Sequence, residues 1–148
     1  DKDISLLSLL SVPSDPGSLS QVVTTLASKG VEVKFFYHGA RREDAVDLTF
    51  IVAERDYKKG LEILEELSSE IGAEKVVSRR EVGSVSLVGV GLGRSTETLA
   101  KIFDVLASRG IHIEAVSTSE IVVSCVIDEE KVERAVRDLT REFELVTR

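Results

Sequence analysis

Ser117, Thr118, Ser119 and Glu120 stand together between two runs of alternating apolar residues, one around Ile111 and Ile113 and one from Ile121 to Ile127. Three hydroxyls and a carboxylate at such a corner have the chemistry to hold a small polar molecule. Glu114, just upstream, adds a second carboxylate. A loop and helix start, Leu92 to Leu99, precedes them, and a second such junction lies at Ser14 to Leu19. The first turn of a helix presents unpaired amides and partial positive charge, which suits a carboxylate ligand. Amides for an anion beside carboxylates for a cation make an amino-acid site. The same residues also admit a plainer reading, in which Thr118 and Ser119 merely make the turn and Glu114 and Glu120 are solvated charges.

Other chemistries find less support. His38 lies at a hairpin edge, and His112 faces away from Ile111 and Ile113; neither has a serine or cysteine partner that the sequence indicates. Two histidines and the lone Cys125 offer no metal-ligand spacing, so no metal and no catalytic residue is expected. Gly89, Gly91 and Gly93 superficially suggest a dinucleotide loop. Arg94 replaces the third glycine of that motif, and no doubly wound repeat surrounds it, so a tight turn is the simpler reading. A net charge of −7 without a basic cluster gives nucleic acid no foothold. No apolar run approaches the ~20 residues that span a bilayer. Without a disulfide framework or a signal peptide, the chain fits a reducing cytoplasm. It contains no methionine, even at position 1, and reads as a piece of a longer protein.

The elements that must position these residues follow from periodicity. Ile4 to Val12 is a strand, broken by Pro13-Ser14-Asp15-Pro16-Gly17. Leu19, Val22, Val23 and Leu26 form one face of a helix that Gly30 stops. Val31 to Tyr37 and Val46 to Val52 alternate as strands. Asp56 caps a helix carrying Leu61, Leu64, Leu67 and Ile71, closed by Gly72, and Glu74 to Arg80 is a further short strand. The order then recurs. A strand at Ser84 to Val90 precedes a helix with Leu99, Ile102, Phe103 and Leu106, stopped at Gly110. Two strands flank the corner, Asp128 caps a last helix with Val132, Ala135, Val136 and Leu139, and Glu142 to Thr147 adds one more strand.

LASKGVEVK at Leu26 to Lys34 returns 80 residues later as LASRGIHIE at Leu106 to Glu114, and Leu64 aligns with Leu139 at a spacing of 75. The five lost residues fall in the hairpin between the two middle strands, where length is free to vary. The chain is therefore expected to be α+β, with two ferredoxin-like βαββαβ units, antiparallel sheets with helices on one face. The units are residues 1–81 and 82–148, with the strand at 142–148 available to complete the first sheet.

The repeat, the S-D-P-G loop at Ser14 to Gly17 and above all GIHIEAVSTSEI at Gly110 to Ile121 resemble the tandem ACT domains of aspartate kinase, over Ile4 to about Leu145. The resemblance implies a regulatory region, either the C-terminal part of the enzyme or its separate β subunit, that binds lysine, threonine or both between ACT units for feedback control of aspartate-family amino-acid biosynthesis. It implies a homodimer through the ACT units and a kinase domain or catalytic subunit as partner, with ATP and magnesium confined to that kinase domain. Carried over by position, the effector site of the second unit comprises Leu92, Ser95, Thr98, Leu99, Ile113, Glu114, Ser119 and Glu120. In the first unit the corresponding positions are Ser14, Asp15, Gly17, Ser18, Leu19 and His38. That unit departs from the family pattern at Glu32, Lys34 and His38-Gly39, and the second carries Thr96-Glu97 where relatives have Pro-Gly. An ACT pair serving only as an assembly interface, with degenerate sites, is the alternative.

Overall fold

The structure, a computed structural model, describes residues 2–89 and 95–147, with residues 144–147 as backbone alone. The chain divides into two compact units, residues 3–80 and residues 81–148 with the first two residues.

The first unit runs β1 (Ile4–Pro13), α1 (Pro16–Ser28), β2 (Val33–His38), β3 (Ala45–Ala53), α2 (Tyr57–Ile71) and the opening part of β4 (Lys75–Val88). Its strand order is β2-β3-β1-β4, and β3 is antiparallel to both neighbours. Helix α1 begins where Asp15 accepts the Ser18 amide and Pro16 takes a position that has no intrahelical bond to lose. It ends at Gly30, whose φ of 74° only glycine adopts freely. Leu7, Leu9, Leu48 and Phe50 on the sheet pack against Val22, Leu26 and Leu64 on the helices. Gly60 lets α2 approach the sheet, since a Cβ there would lie 2.8 Å from Leu7 Cδ1.

The second unit repeats the plan with the rest of β4, α3 (Thr96–Ser108), β5 (Ala115–Thr118), β6 (Val122–Asp128) and α4 (Val132–Thr147). Its order is β4-β6-β5, antiparallel throughout. Val85, Val123, Cys125 and Ile127 meet Ile102, Leu106 and Leu139 in its core. Two ferredoxin-like α+β units are therefore present.

Several local expectations are corrected. Glu74–Arg80 and Ser84–Val90 are not separate strands, because β4 runs unbroken through Glu81 at φ 57°. Glu142–Thr147 is the end of α4, not a strand: the amphipathic stripe of Val132, Ala135 and Leu139 continues through Phe143. Ile111 to Glu114 lies outside β5. Asp56 precedes α2 but makes no side-chain cap; its carboxylate accepts the Glu32 amide at 2.8 Å instead. Asp128 likewise gives no side-chain cap to the turn before α4. Val23, Phe103 and Val136, assigned to helix core faces by spacing, are 46%, 39% and 46% exposed.

Candidate functional site

In the second unit, β4 ends beside the corner. The Gly89 amide donates to the Ile121 carbonyl at 2.7 Å, and Val88 pairs with Val122. The end of β4 and the Ser119–Glu120 corner therefore share one end of the unit. Leu92 lies outside the described residues, as do Gly91, Gly93 and Arg94. Where the chain is next described, Ser95 begins α3 and its hydroxyl accepts the Thr98 amide at 3.1 Å. Ser119 is held twice in the turn: its amide donates to the Val122 carbonyl at 2.8 Å, and its hydroxyl accepts the Val122 amide at 3.2 Å. Both hydroxyls thus use an acceptor locally and keep their O–H to donate outward. Thr98 is half-buried and Leu99 packs on the core, while Glu120 is exposed.

Ile113 and Glu114 belong to the other end of β5. The Glu114 amide donates to the Val126 carbonyl at 2.7 Å, and four strand residues separate it from the corner. At 3.3 Å per residue that is roughly 16 Å between Glu114 and Ser119, too far for one amino acid to span. Ser95, Thr98 and Leu99 thus stand at the start of α3, Ser119 and Glu120 at the corner, and Ile113 and Glu114 beyond the other end of β5.

The first unit carries the same frame with different side chains. The Ser14 amide donates to the Asp44 carbonyl at 2.9 Å, tying the loop after β1 to the β2–β3 hairpin, and the exposed His38 ends β2 beside it. Here the loop is occupied by its own carboxylate. Asp15 accepts the Ser18 amide and the Ser18 hydroxyl, each at 2.9 Å, and those bonds hold its pKa below the ordinary carboxylate value. Gly17 leaves room for it, a Cβ there lying 3.3 Å from Asp15 Oδ2. Leu19 packs on the core. Gly39 stands at the repeat position of Ser119, and its amide bonds the Asp47 carbonyl.

Each unit also has an apolar groove between its first helix and its outer strand. Val23, Ala27, Val31, Val33, Phe36 and Phe50 line the first. Phe103, Ala107, Gly110, Ile111, His112 and Ile113 line the second. Val23 and Phe103, Ala27 and Ala107, Val31 and Ile111, Val33 and Ile113 are repeat counterparts 80 residues apart. Spacing alone placed Val23 and Phe103 in the cores. The signal that finds the grooves is the repeat, which keeps an apolar residue at a position the core does not need.

Cys125 offers no nucleophile. It is buried, and burial pushes its thiol up to about 11, so it stays protonated at neutral pH. Among the described residues no group of His, Cys, Asp or Glu has the arrangement to hold a metal, and no helix is long and apolar enough to cross a membrane.

Comparison with known proteins agrees with this frame. ACT-domain family models match residues 5–69 and residues 85–143. The aspartokinases of Pseudomonas aeruginosa and Thermus thermophilus are each 35% identical over 98% of this chain, which spans only 35% and 36% of their lengths. Among solved structures, the regulatory subunit of aspartate kinase from Thermus flavus superposes with a TM-score of 0.88 at 34% identity, covering 97% of this chain and 94% of that one. A chain from the crystal structure of aspartokinase α and β subunits gives 0.85 at 38% identity, covering 97% and 95%. The chain belongs to the aspartokinase family, as the pair of ACT domains that forms its regulatory part.

Proposed function

We propose that this ACT pair binds lysine or threonine and passes that binding, as feedback control, to an aspartate kinase catalytic domain or subunit. The observation that carries the reading is the Gly89–Ile121 hydrogen bond. It closes the end of β4 on the strand that follows the Ser119–Glu120 corner, at the end of the unit where the corner's hydroxyls and carboxylate stand. The effector's carboxylate meets the amides and hydroxyls, and an acidic side chain receives its amine. Escherichia coli aspartokinase III, which shares the fold, has been solved in complex with lysine and aspartate.

The roughly 16 Å between the corner and Glu114 favours a site completed across a pair of units rather than inside one. Two copies pair side by side through the apolar grooves, so that the site draws on residues of both units. Control then requires that the effector bind one arrangement of the pair more tightly than another. The exposed grooves also favour a second reading, pairing without any ligand.

Isothermal titration with lysine, threonine and methionine separates the two. Saturable binding of lysine or threonine, but not methionine, is expected. Glu120→Gln should weaken it about tenfold or more, the size of a lost hydrogen bond between charged groups. Ser119→Phe should abolish it. No binding of either, by a chain that still pairs, would leave only the assembly role.

A further inference from the structure

We propose that the first unit is a self-liganded copy of the second. Two of its own carboxylates, Asp15 and Asp47, take the place that the effector's carboxylate takes in the second unit. The inference rests on the effector site proposed above and concerns why only one unit of the pair takes a ligand.

Three amides at the end of β1 and in the loop that follows it have acceptors inside the first unit. Ser11 lies at a bulge, where the register of β1 against β3 shifts between Leu9 and Val12 and φ reaches 53°. The bulge aims its amide at Asp47 Oδ1, 2.9 Å away. The Ser14 amide donates to the Asp44 carbonyl, and the Ser18 amide to Asp15 Oδ2, each at 2.9 Å. Two of these three acceptors are carboxylates. Each is steadied through its other oxygen, Asp15 by the Ser18 hydroxyl at 2.9 Å and Asp47 by Arg42 at 3.2 Å. Backbone amides holding a carboxylate are what a bound amino acid would require, and here the carboxylates belong to the chain.

The repeat keeps the frame and removes both acids. Ser95 stands 80 residues after Asp15, and Val122 stands 75 after Asp47. Val122 pairs with Val88 in the β4–β6 ladder, and its side chain can accept no hydrogen bond. Ser95 caps α3 with a neutral hydroxyl, 3.1 Å from the Thr98 amide. Glu97, in the first turn of α3, is exposed. An anion approaching the start of α1 meets the charge of Asp15, whereas the start of α3 offers partial positive charge under a neutral cap. One copy of the frame is therefore filled from within and the other from outside, and each chain takes one effector.

Isothermal titration of the full chain with lysine and with threonine tests the assignment. Ser95→Asp puts the charge of Asp15 at the start of α3 and caps it as well as serine does, so the chain should melt no lower than the wild type. Effector affinity is expected to fall about tenfold or more, while the neutral Ser95→Asn keeps it. Amide spectra give the second arm: the effector shifts Thr98 and Leu99 and leaves Gly17 and Ser18 where they were. Three results would each overturn the self-liganded first unit while sparing the effector site. They are a Ser95→Asp chain that binds as tightly as the wild type, equal losses in Ser95→Asp and Ser95→Asn, or shifts at Gly17 and Ser18. A wild type that binds neither amino acid would overturn both.

Discussion

The two units share a backbone plan and differ in what occupies it. At the loop, the first unit supplies its own anion, Asp15, to the start of α1, and the second caps α3 with the neutral Ser95. At the hairpin corner the first has Gly39 where the second has Ser119. In the groove the first has the stacked pair Phe36 and Phe50, whose repeat counterparts Val116 and Cys125 belong to the core of the second unit, and the second groove has Phe103. A duplicated fold has kept its hydrogen-bond frame and exchanged its side chains. The second unit has neutral hydroxyls at its helix start and its corner, and the first has a carboxylate already bonded at its helix start. That contrast is why the effector site is proposed in the second unit.

The largest test of the contrast is at the equivalent positions Phe50 and Cys125. Phe50 is 1% exposed and joins its core to its groove. Truncation to alanine should cost about 3–5 kcal/mol in denaturant unfolding, the usual range for a buried phenylalanine. Cys125→Ala removes one sulfur from an equally buried site and should cost about 1 kcal/mol. Equal losses would mean that the two positions carry equal shares of their cores' packing, and that the side-chain exchange between the units leaves stability unchanged there.

A smaller effect separates the second helices. Gly60 in α2 and Ala135 in α4 are repeat counterparts, and both are buried. Gly60→Ala gains helix propensity but drives a methyl toward Leu7, itself fully buried, so a net loss of about 1 kcal/mol or more is expected from overpacking. Ala135→Gly should also lose about 1 kcal/mol, by the opposite route of helix propensity. Thermal melts of both variants decide it; a stabilised Gly60→Ala would show that α2 does not need the close approach.

Periodicity, glycine stops and the 80-residue repeat made the two βαββα frames legible, because those signals are local and each unit states them once. What they missed was set by tertiary context. Val23, Phe103 and Val136 fit a helix stripe, but the faces they point to are not covered by the described residues. Glu142 to Thr147 has a β-like composition, yet Phe143 extends the stripe of α4 and helix wins. Asp56 sits where a cap belongs, but the Glu32 amide, brought near by the return of β2, takes its carboxylate. For the site, the corner and the helix start were readable as chemistry. That Ser95 and Ser119 each spend an acceptor on their own turn, and that Glu114 lies a strand's length away, required coordinates.

The smallest effect is the most specific to the loops, because pH tells the two caps apart. Ser95→Ala removes a neutral cap and should lower stability by about 1 kcal/mol, equally from pH 8 to pH 3. Asp15→Asn exchanges a charged cap for a neutral one. The Ser18 bonds place the folded pKa of Asp15 below its unfolded value, so the contribution of its charge is present above the unfolded pKa and is lost as pH falls through the folded one. The midpoint difference between Asp15→Asn and wild type should therefore be largest near neutrality and shrink below about pH 4. If lysine or threonine bound the first unit, its carboxylate would compete for the helix start that Asp15 holds. Asp15→Asn would then raise affinity there and add a second binding event to the titration. A single event in both proteins keeps the effector in the second unit, and a new one on losing the charge would show that Asp15 alone was keeping the first site shut.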